Sequence, residues 1–183
     1  MLDLDQHSSL GSALHEALDR FANETCLIEA DRDRERTRLT YSDFKQMASP
    51  LARALQDAEF APGDRCAVIM TNQSKWLISA YAVFYAGGVL VPLDYKLTAE
   101  EHLDLLAHSN AKFLVVEYHL WRALTQHPEF KNHKLKIVLV TEAPPTADLK
   151  GGFRWEEFRR KGDPTFIPRT REDWACIVYS SGT

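Results

Sequence analysis

The sequence closes with Trp174-Ala175-Cys176-Ile177-Val178-Tyr179-Ser180-Ser181-Gly182-Thr183. The first six of these residues are apolar without interruption, as in a strand that is buried on both faces of a parallel sheet. Two serines, a glycine and a threonine follow directly, so the strand is predicted to lead into a loop that presents hydroxyl and backbone N–H groups. Open α/β sheets bind ligands at the carboxyl ends of their strands, and a loop of this composition suits an anionic ligand.

The composition is that of an ordinary globular protein. The 183 residues are 45% hydrophobic and 26% charged, with a formal net charge of −4, and this length is sufficient for one domain with its own core. Because charges of both signs are interspersed, the chain has no field that would attract nucleic acid. No apolar run approaches the roughly 18 residues of a membrane span, so we expect neither a nucleic-acid partner nor a membrane-spanning segment.

The cysteines and the N-terminus indicate the cellular compartment of the protein. Cys26, Cys66 and Cys176 lie far apart, and two of them are in apolar runs, which is typical of buried thiols in a reducing compartment. The first five residues include two aspartates and lack the basic start and apolar core of a signal peptide. We therefore expect a soluble, cytoplasmic protein.

Short apolar runs alternate with helical patterns along the chain. The fold class predicted from this alternation is α/β, with a largely parallel sheet covered by helices on both faces. Two short strands, at 26–29 and 37–39, precede the sheet. The predicted sheet strands are 65–70, 89–92, 113–116 and 137–140, and the principal predicted helices are 10–21, 41–58, 74–86 and 99–107.

Local signals fix several helix ends. Thr40 to Asp43 and Thr98 to Glu101 fit capping boxes, with a hydroxyl at the cap and a carboxylate three residues later. Ser74 is predicted to cap the helix that follows it. Pro50 lies inside the second helix, where a proline removes one backbone hydrogen bond, so a kink or a break is expected there.

Common catalytic and nucleotide motifs are missing or incomplete. The sequence has no G-x-G-x-x-G and no G-x-x-x-x-G-K-[ST], which argues against a dinucleotide oxidoreductase and a P-loop NTPase. Val178 stands where the first glycine of a G-x-S-x-G nucleophile elbow would be. The seven histidines show no metal-binding spacing, so no metal ligand and no catalytic residue is predicted in this chain.

Four stretches together resemble one enzyme superfamily. Residues 173–183 resemble the opening of the adenylate-forming signature, in which a strand enters Y-[ST]-S-G-[ST]-T-G-x-P-K-G. Residues 39–44 are similar to the L-T-Y-x-[DE]-L segment of that superfamily. Residues 63–68 and 87–101 are similar to its G-D-R-V-A and A-G-A-V-x-V-P-L…L-T-P-E-E segments. The order and spacing agree with acyl- and aryl-CoA synthetases, luciferases and peptide-synthetase adenylation domains.

The resemblance implies that residues 1–183 form a single N-terminal subdomain, about the first third of an ATP-dependent acid–thiol ligase. Such an enzyme activates a small carboxylic acid as an acyl adenylate with ATP and Mg²⁺, and then transfers the acyl group to coenzyme A or a carrier-protein thiol. The role of binding the ATP phosphates falls to Ser180, Ser181, Gly182 and Thr183. The later N-terminal subdomains and the mobile C-terminal domain, with its catalytic lysine, are not in this sequence. We therefore expect the chain alone to be inactive, and to self-associate through an exposed apolar face.

A second hypothesis belongs to a different class. A naturally short α/β chain could keep this fold as a non-catalytic binding or assembly module. A third, an unrelated α/β nucleotide-binding domain, is disfavoured by the missing fingerprint. The sequence leaves open which carboxylic acid is used, which thiol accepts the acyl group and what the oligomeric state is.

Overall fold

The computed structural model of the protein describes residues 2–180. The α-helices are α1 (Leu10–Arg20), α2 (Tyr41–Asp57), α3 (Ser74–Tyr85), α4 (Ala99–Ser109) and α5 (Tyr118–Gln126). The strands are β1 (Thr25–Asp31), β2 (Arg34–Thr40), β3 (Arg65–Ile69), β4 (Val89–Pro92), β5 (Phe113–Glu117), β6 (Ile137–Thr141) and β7 (Phe153–Arg154). Among the helices of residues 2–180, none combines the length and the hydrophobicity that a membrane-spanning helix needs.

The strands form two sheets. β1 and β2 pair as an antiparallel hairpin, and the other five strands form a sheet in the order β4-β3-β5-β6-β7. Each neighbouring pair in the larger sheet is parallel. The α/β fold class and the largely parallel sheet are therefore confirmed. β7 was not predicted, since a pairing of two residues leaves no periodic signal in the sequence.

Helices cover both faces of the larger sheet. Val68 of β3 packs with residues of α2 and α3, such as Leu51, whereas the next residue, Ile69, packs with residues of α4 and α5, such as Leu124. Alternate residues of one strand point to opposite faces, so every position of β3 except its first is buried. Each fully buried Val, Leu or Ile side chain stabilises the fold by about 1.5–3 kcal/mol. Burial on both faces explains why these strands are continuously apolar in the sequence.

Pro50 does not break α2. The helix runs without interruption from Tyr41 to Asp57 with Pro50 inside it, so the expected break is absent. Gln46, whose carbonyl loses its partner to the proline, is exposed, and water can satisfy that carbonyl. The next carbonyl, of Met47, accepts a hydrogen bond from the Arg159 guanidinium. Both observations lower the cost of keeping a proline in the middle of the helix.

The last described segment, residues 174–180, corrects a prediction. It was expected to be a strand buried on both faces, but it makes only an isolated parallel bridge, between Cys176 and Leu90 of β4. Trp174 is 70% exposed and Val178 is 73% exposed. Among residues 2–180, only β4 pairs with this segment, so its other edge carries no neighbouring strand. Pro92, at the end of β4, has no N–H to extend the pairing beyond Leu90.

Candidate functional site

The candidate site lies at the carboxyl edge of the parallel sheet. Because β3, β4 and β5 are parallel, their carboxyl ends meet at one edge, and segment 174–180 runs parallel to β4 toward that edge. The residues that follow these elements are Thr71 after β3, Asp94 after β4, Glu117 at the end of β5, and Ser180 at the end of the segment. This is the edge at which open α/β sheets bind their ligands.

Of the predicted phosphate-binding residues, the structure places one. Ser180 is exposed directly after Tyr179. Its hydroxyl can donate one hydrogen bond and accept others, which suits contact with a phosphate oxygen. Ser181, Gly182 and Thr183 lie outside the described residues, so the predicted four-residue site stays a prediction.

Tyr179 is tied to α4 by its side chain. Its hydroxyl lies 2.8 Å from Nδ1 of His108, and the two rings meet edge to face with centroids 5.6 Å apart. Tyr179 and Ile177 also pack against the core that lies beneath α4 and α5. The residue immediately before Ser180 is therefore held by His108, which lies 71 residues earlier in the chain.

The loop between β4 and α4 is fixed by a buried histidine. His102 is 1% exposed, and its Nε2–H donates to the carbonyl oxygen of Asp94 at 2.8 Å. Burial lowers the pKa of His102, although the Asp94 carbonyl and the nearby charges of Glu101 and Asp94 oppose the shift. The predicted capping box is present, with Thr98 N–H donating to the Glu101 carboxylate at 2.8 Å. The start of α4 is thus rigidly placed beside the end of β4.

Between the carboxyl ends of β3 and β5, the polar side chains bond to one another. β3 is the first strand of this sheet in the chain, and the next two strands, β4 and β5, lie on opposite sides of it. The strand order therefore reverses direction at β3, which places the topological switch point between β3 and β5. There the Glu117 carboxylate accepts from Thr71 N–H at 3.1 Å, from the Thr71 hydroxyl at 2.8 Å and from Gln73 Nε2 at 3.4 Å. His119 Nδ1 is 3.3 Å from its other oxygen. Glu117 therefore holds the β3–α3 loop in place and is not free for a ligand.

The start of α3 differs from the prediction. Gln73, not Ser74, is the N-cap residue, and its side chain makes no capping hydrogen bond. The backbone N–H of Ser74 instead donates to the carboxylate of Glu29 at 3.1 Å. A carboxylate at a helix N-terminus is favoured by the helix dipole. Glu29 belongs to the β1–β2 hairpin, so no local signal in the sequence could identify it.

Lys75, in the first turn of α3, was missed by sequence reasoning. Its ammonium group pairs with both Glu142 and Glu156 and lies 5.7 Å from the centroid of the Trp155 ring. Burial alone would lower the pKa of Lys75, but hydrogen bonds to the two carboxylates outweigh it and raise the pKa. The two carboxylates therefore neutralise the charge of Lys75, and these ion pairs join α3 to the loops on either side of β7. Across residues 2–180, no group of three or more His, Cys, Asp or Glu side chains could hold a metal ion.

Comparison with known proteins identifies the family. Residues 14–183 match the family described as AMP-binding enzyme. The chain is 32% identical over 173 residues to 4-hydroxybutyrate–CoA ligase 2 of Metallosphaera sedula, covering 89% of this chain and 30% of the relative. It is 28% identical to a 3-[(3aS,4S,7aS)-7a-methyl-1,5-dioxo-octahydro-1H-inden-4-yl]propanoyl:CoA ligase of Rhodococcus jostii, covering 98% of this chain and 36% of the relative. The chain thus spans about a third of the length of these relatives.

Solved structures share the fold. The crystal structure of the anthranilate CoA ligase AuaEII in complex with anthranoyl-AMP superposes with a TM-score of 0.80 at 21% identity, over 99% of this chain and 33% of that one. The likeness confirms the predicted fold, a largely parallel α/β sheet with helices on both faces. With the family match over residues 14–183, the sequence resemblance is confirmed as well: the chain belongs to the AMP-binding enzyme family.

Proposed function

We propose that residues 1–183 are the N-terminal subdomain of an AMP-forming acid–thiol ligase. The observation that carries this proposal is the family match over residues 14–183, together with relatives whose names describe CoA ligases. The exposed position of Ser180 at the carboxyl edge of the sheet supports it. The naturally short binding module has no specific observation in its favour.

The proposed reaction has two steps. An oxygen of the substrate carboxylate attacks the α-phosphorus of ATP, the bond from that phosphorus to the α–β bridging oxygen breaks, and pyrophosphate leaves. A thiol sulfur then attacks the acyl carbonyl carbon, its proton is lost, and AMP departs with the bond electrons. We propose coenzyme A or a carrier-protein thiol as the acceptor, and a small carboxylic acid as the substrate.

The contribution of this chain is to bind phosphate. Negative charge spreads over the phosphate oxygens in the transition state, so hydrogen-bond donors fixed beforehand stabilise it. We assign this role to the hydroxyl and backbone N–H groups of Ser180, Ser181, Gly182 and Thr183. Mg²⁺ would neutralise part of the phosphate charge. The described residues offer no carboxylate cluster for Mg²⁺, so we assign it no protein ligand here.

We further propose that this chain carries no catalytic residue and is inactive by itself. The remaining subdomains and a C-terminal domain would complete the site. We place the protein in the cytoplasm, since its thiols are all unpaired, which suits a reducing compartment.

The test begins with the coding DNA downstream of Thr183. A frame that continues into Thr-Gly-x-Pro-Lys-Gly supports the proposal, and its product should catalyse ATP–pyrophosphate exchange with at least one acid from a panel of carboxylic acids. A stop codon directly after Thr183 would favour the binding module. The isolated 183-residue chain should show no saturable Mg²⁺–ATP binding at micromolar concentration in calorimetry, and such binding would contradict the assignment of an incomplete site.

A further inference from the structure

The segment that leads to Ser180 is weakly held by its backbone. Leu90 N–H donates to the carbonyl of Ala175, and Ile177 N–H donates to the carbonyl of Leu90, both at 2.9 Å. In a parallel pair the next bond would run from residue 92 of β4 to the carbonyl of Ile177. Pro92 has no N–H and cannot make it. Within residues 2–180, the last backbone hydrogen bond between this segment and β4 is the one that Ile177 N–H donates, so none holds Tyr179.

Beyond the last backbone hydrogen bond, a side-chain contact holds the segment. His108, in the last turn of α4, holds the Tyr179 hydroxyl at 2.8 Å. α4 is itself well anchored at both ends. At its start His102 bonds to the Asp94 carbonyl at 2.8 Å, and at its end Arg65 Nε of β3 donates to the carbonyl of Ser109 at 3.0 Å. His108 therefore connects Tyr179 to a rigid part of the sheet.

We propose that His108 is a positioning residue for the ATP-phosphate loop. Through the Tyr179 hydroxyl, it fixes the point at which Ser180 leaves the sheet, and hence where the hydroxyl and N–H donors of Ser180 meet the phosphates. This inference rests on the proposed function. His108 is exposed, and a solvent-exposed hydrogen bond adds little to overall stability. By contrast, loss of this bond would displace the donors of the phosphate loop, and a displaced donor makes a weaker hydrogen bond to MgATP.

Three variants of the complete enzyme test the proposal by ATP–pyrophosphate exchange. His108→Leu and Tyr179→Phe each remove one partner, and each should raise the KM for MgATP about five-fold, the factor expected for one hydrogen bond of ordinary net strength. The KM for the carboxylic acid should not change. The double variant should be no worse than either single variant. His108→Asn places an amide near the position of Nδ1 and should restore most of the affinity for MgATP.

A matched control is His127→Leu. His127 lies between α5 and β6, at the amino edge of the sheet, where its Nδ1 accepts a hydrogen bond from the backbone N–H of Glu129 at 3.3 Å, and this variant should leave the KM for MgATP unchanged. Equal increases in both KM values, or a double variant with the product of the two single effects, would overturn the positioning role of His108.

A second measurement separates the link itself from catalysis. Hydrogen–deuterium exchange on the 183-residue chain should become faster at residues 176–180 in His108→Leu than in the wild type, and should return to normal in His108→Asn. Unchanged exchange would overturn the link. Faster exchange with an unchanged KM for MgATP would overturn the positioning role while leaving the proposed function intact. If the complete wild-type protein forms no adenylate with any acid, the proposed function fails, and the role of His108 fails with it.

Discussion

The indole N–H of Trp155 donates to the hydroxyl of Ser79 at 2.8 Å, and each of these residues is 1% exposed. The bond joins the chain just after β7 to the middle of α3. The Arg159 guanidinium lies 4.5 Å from the centroid of the same indole ring, a favourable cation–π contact. The side chain of Trp155 thus helps to secure to the fold a short strand with only two paired residues.

Removing the Ser79 hydroxyl should destabilise the protein. Ser79→Ala leaves the buried indole N–H without an acceptor, which costs about 1–3 kcal/mol in the free energy of unfolding. Urea denaturation measures this change. The control is Ser42→Ala on α2, where the hydroxyl has only a long contact of 3.5 Å to Gln46. That change should stay within about 0.5 kcal/mol, and equal effects at the two sites would contradict the importance of the Trp155 bond.

Stability should fall as the pH drops below the ordinary pKa of histidine. Burial lowers the pKa of His102 in the folded protein, with partial opposition from the Asp94 carbonyl and from the charges of Glu101 and Asp94. The unfolded state therefore binds a proton at higher pH than the folded state does. The resulting stability is fully present above about pH 6.5 and is lost as the pH falls toward the folded-state pKa.

His102→Gln tests this assignment, because the amide can still donate to the Asp94 carbonyl but does not titrate. Urea denaturation between pH 7.5 and pH 5 should show a shallower loss of stability in this variant. His133, whose pKa is also lowered by burial, contributes in the same range, so His133→Gln serves as the parallel variant. An unchanged pH dependence in His102→Gln would show that His102 is not responsible.

Gly88 should not tolerate a side chain. A Cβ atom there would lie 2.3 Å from Cζ of Phe60 and 3.0 Å from Cγ1 of Val83, and the Phe60 ring is buried against Phe113 with centroids 4.7 Å apart. Overpacking of this kind costs about 3 kcal/mol, so thermal unfolding of Gly88→Ala should occur well below the wild-type temperature.

Gly162→Ala is the control for Gly88→Ala. Gly162 has a positive φ of +95° but nothing within 4 Å of the added Cβ atom, so this change carries only backbone strain of about 1 kcal/mol. A milder effect at Gly88 than at Gly162 would contradict the close packing at Gly88.

The order in which a thiol reagent modifies the cysteines should show whether segment 174–180 is exposed. Burial raises the pKa of Cys66 to about 12, and Cys66 lies in the core, so its thiol should react only after unfolding. Cys176 is exposed, although partial burial raises its pKa as well. With an aromatic disulfide reagent at pH 8, peptide mass spectrometry should find Cys176 modified before Cys66. Equal protection of both thiols would mean that this segment is buried on both faces after all.

The exposed apolar side chains of the same segment should cause self-association. Trp174 and Val178 are 70% and 73% exposed, and large exposed apolar groups favour contact with other surfaces. Light scattering of the 183-residue chain should show an apparent mass that rises with concentration, and Trp174→Lys with Val178→Lys should suppress the rise. Leu77→Lys on α3, where the leucine is 44% exposed, is the control. A monomer at all concentrations would contradict this prediction.

Patterns that are local in sequence predicted most of the fold. The alternation of apolar runs with helical periodicity located the parallel sheet, and the hydroxyl–carboxylate pairs at Thr40 and Thr98 located two helix starts. Contacts between distant parts of the chain could not be predicted in this way. Glu29 at the start of α3 and His108 beside Tyr179 are examples, because each depends on how the elements pack.

Segment 174–180 shows a second limit of sequence reasoning. An apolar run cannot distinguish a central strand from a segment that has a neighbour on only one side. The candidate phosphate site is predicted by its motif alone, whereas the contact between His108 and Tyr179 that precedes it is visible only in the fold.

Pro92 makes the positions of two separate parts of the chain depend on each other. If residue 92 could donate a hydrogen bond to the carbonyl of Ile177, β4 would hold this segment more firmly just before Tyr179. With proline there, the path of the chain near Tyr179 depends on the hydrogen bond between Tyr179 and His108 in the last turn of α4. Substitutions at positions 108 and 179 are therefore expected to occur together among related sequences that keep a proline at position 92, and to vary independently where that proline is replaced.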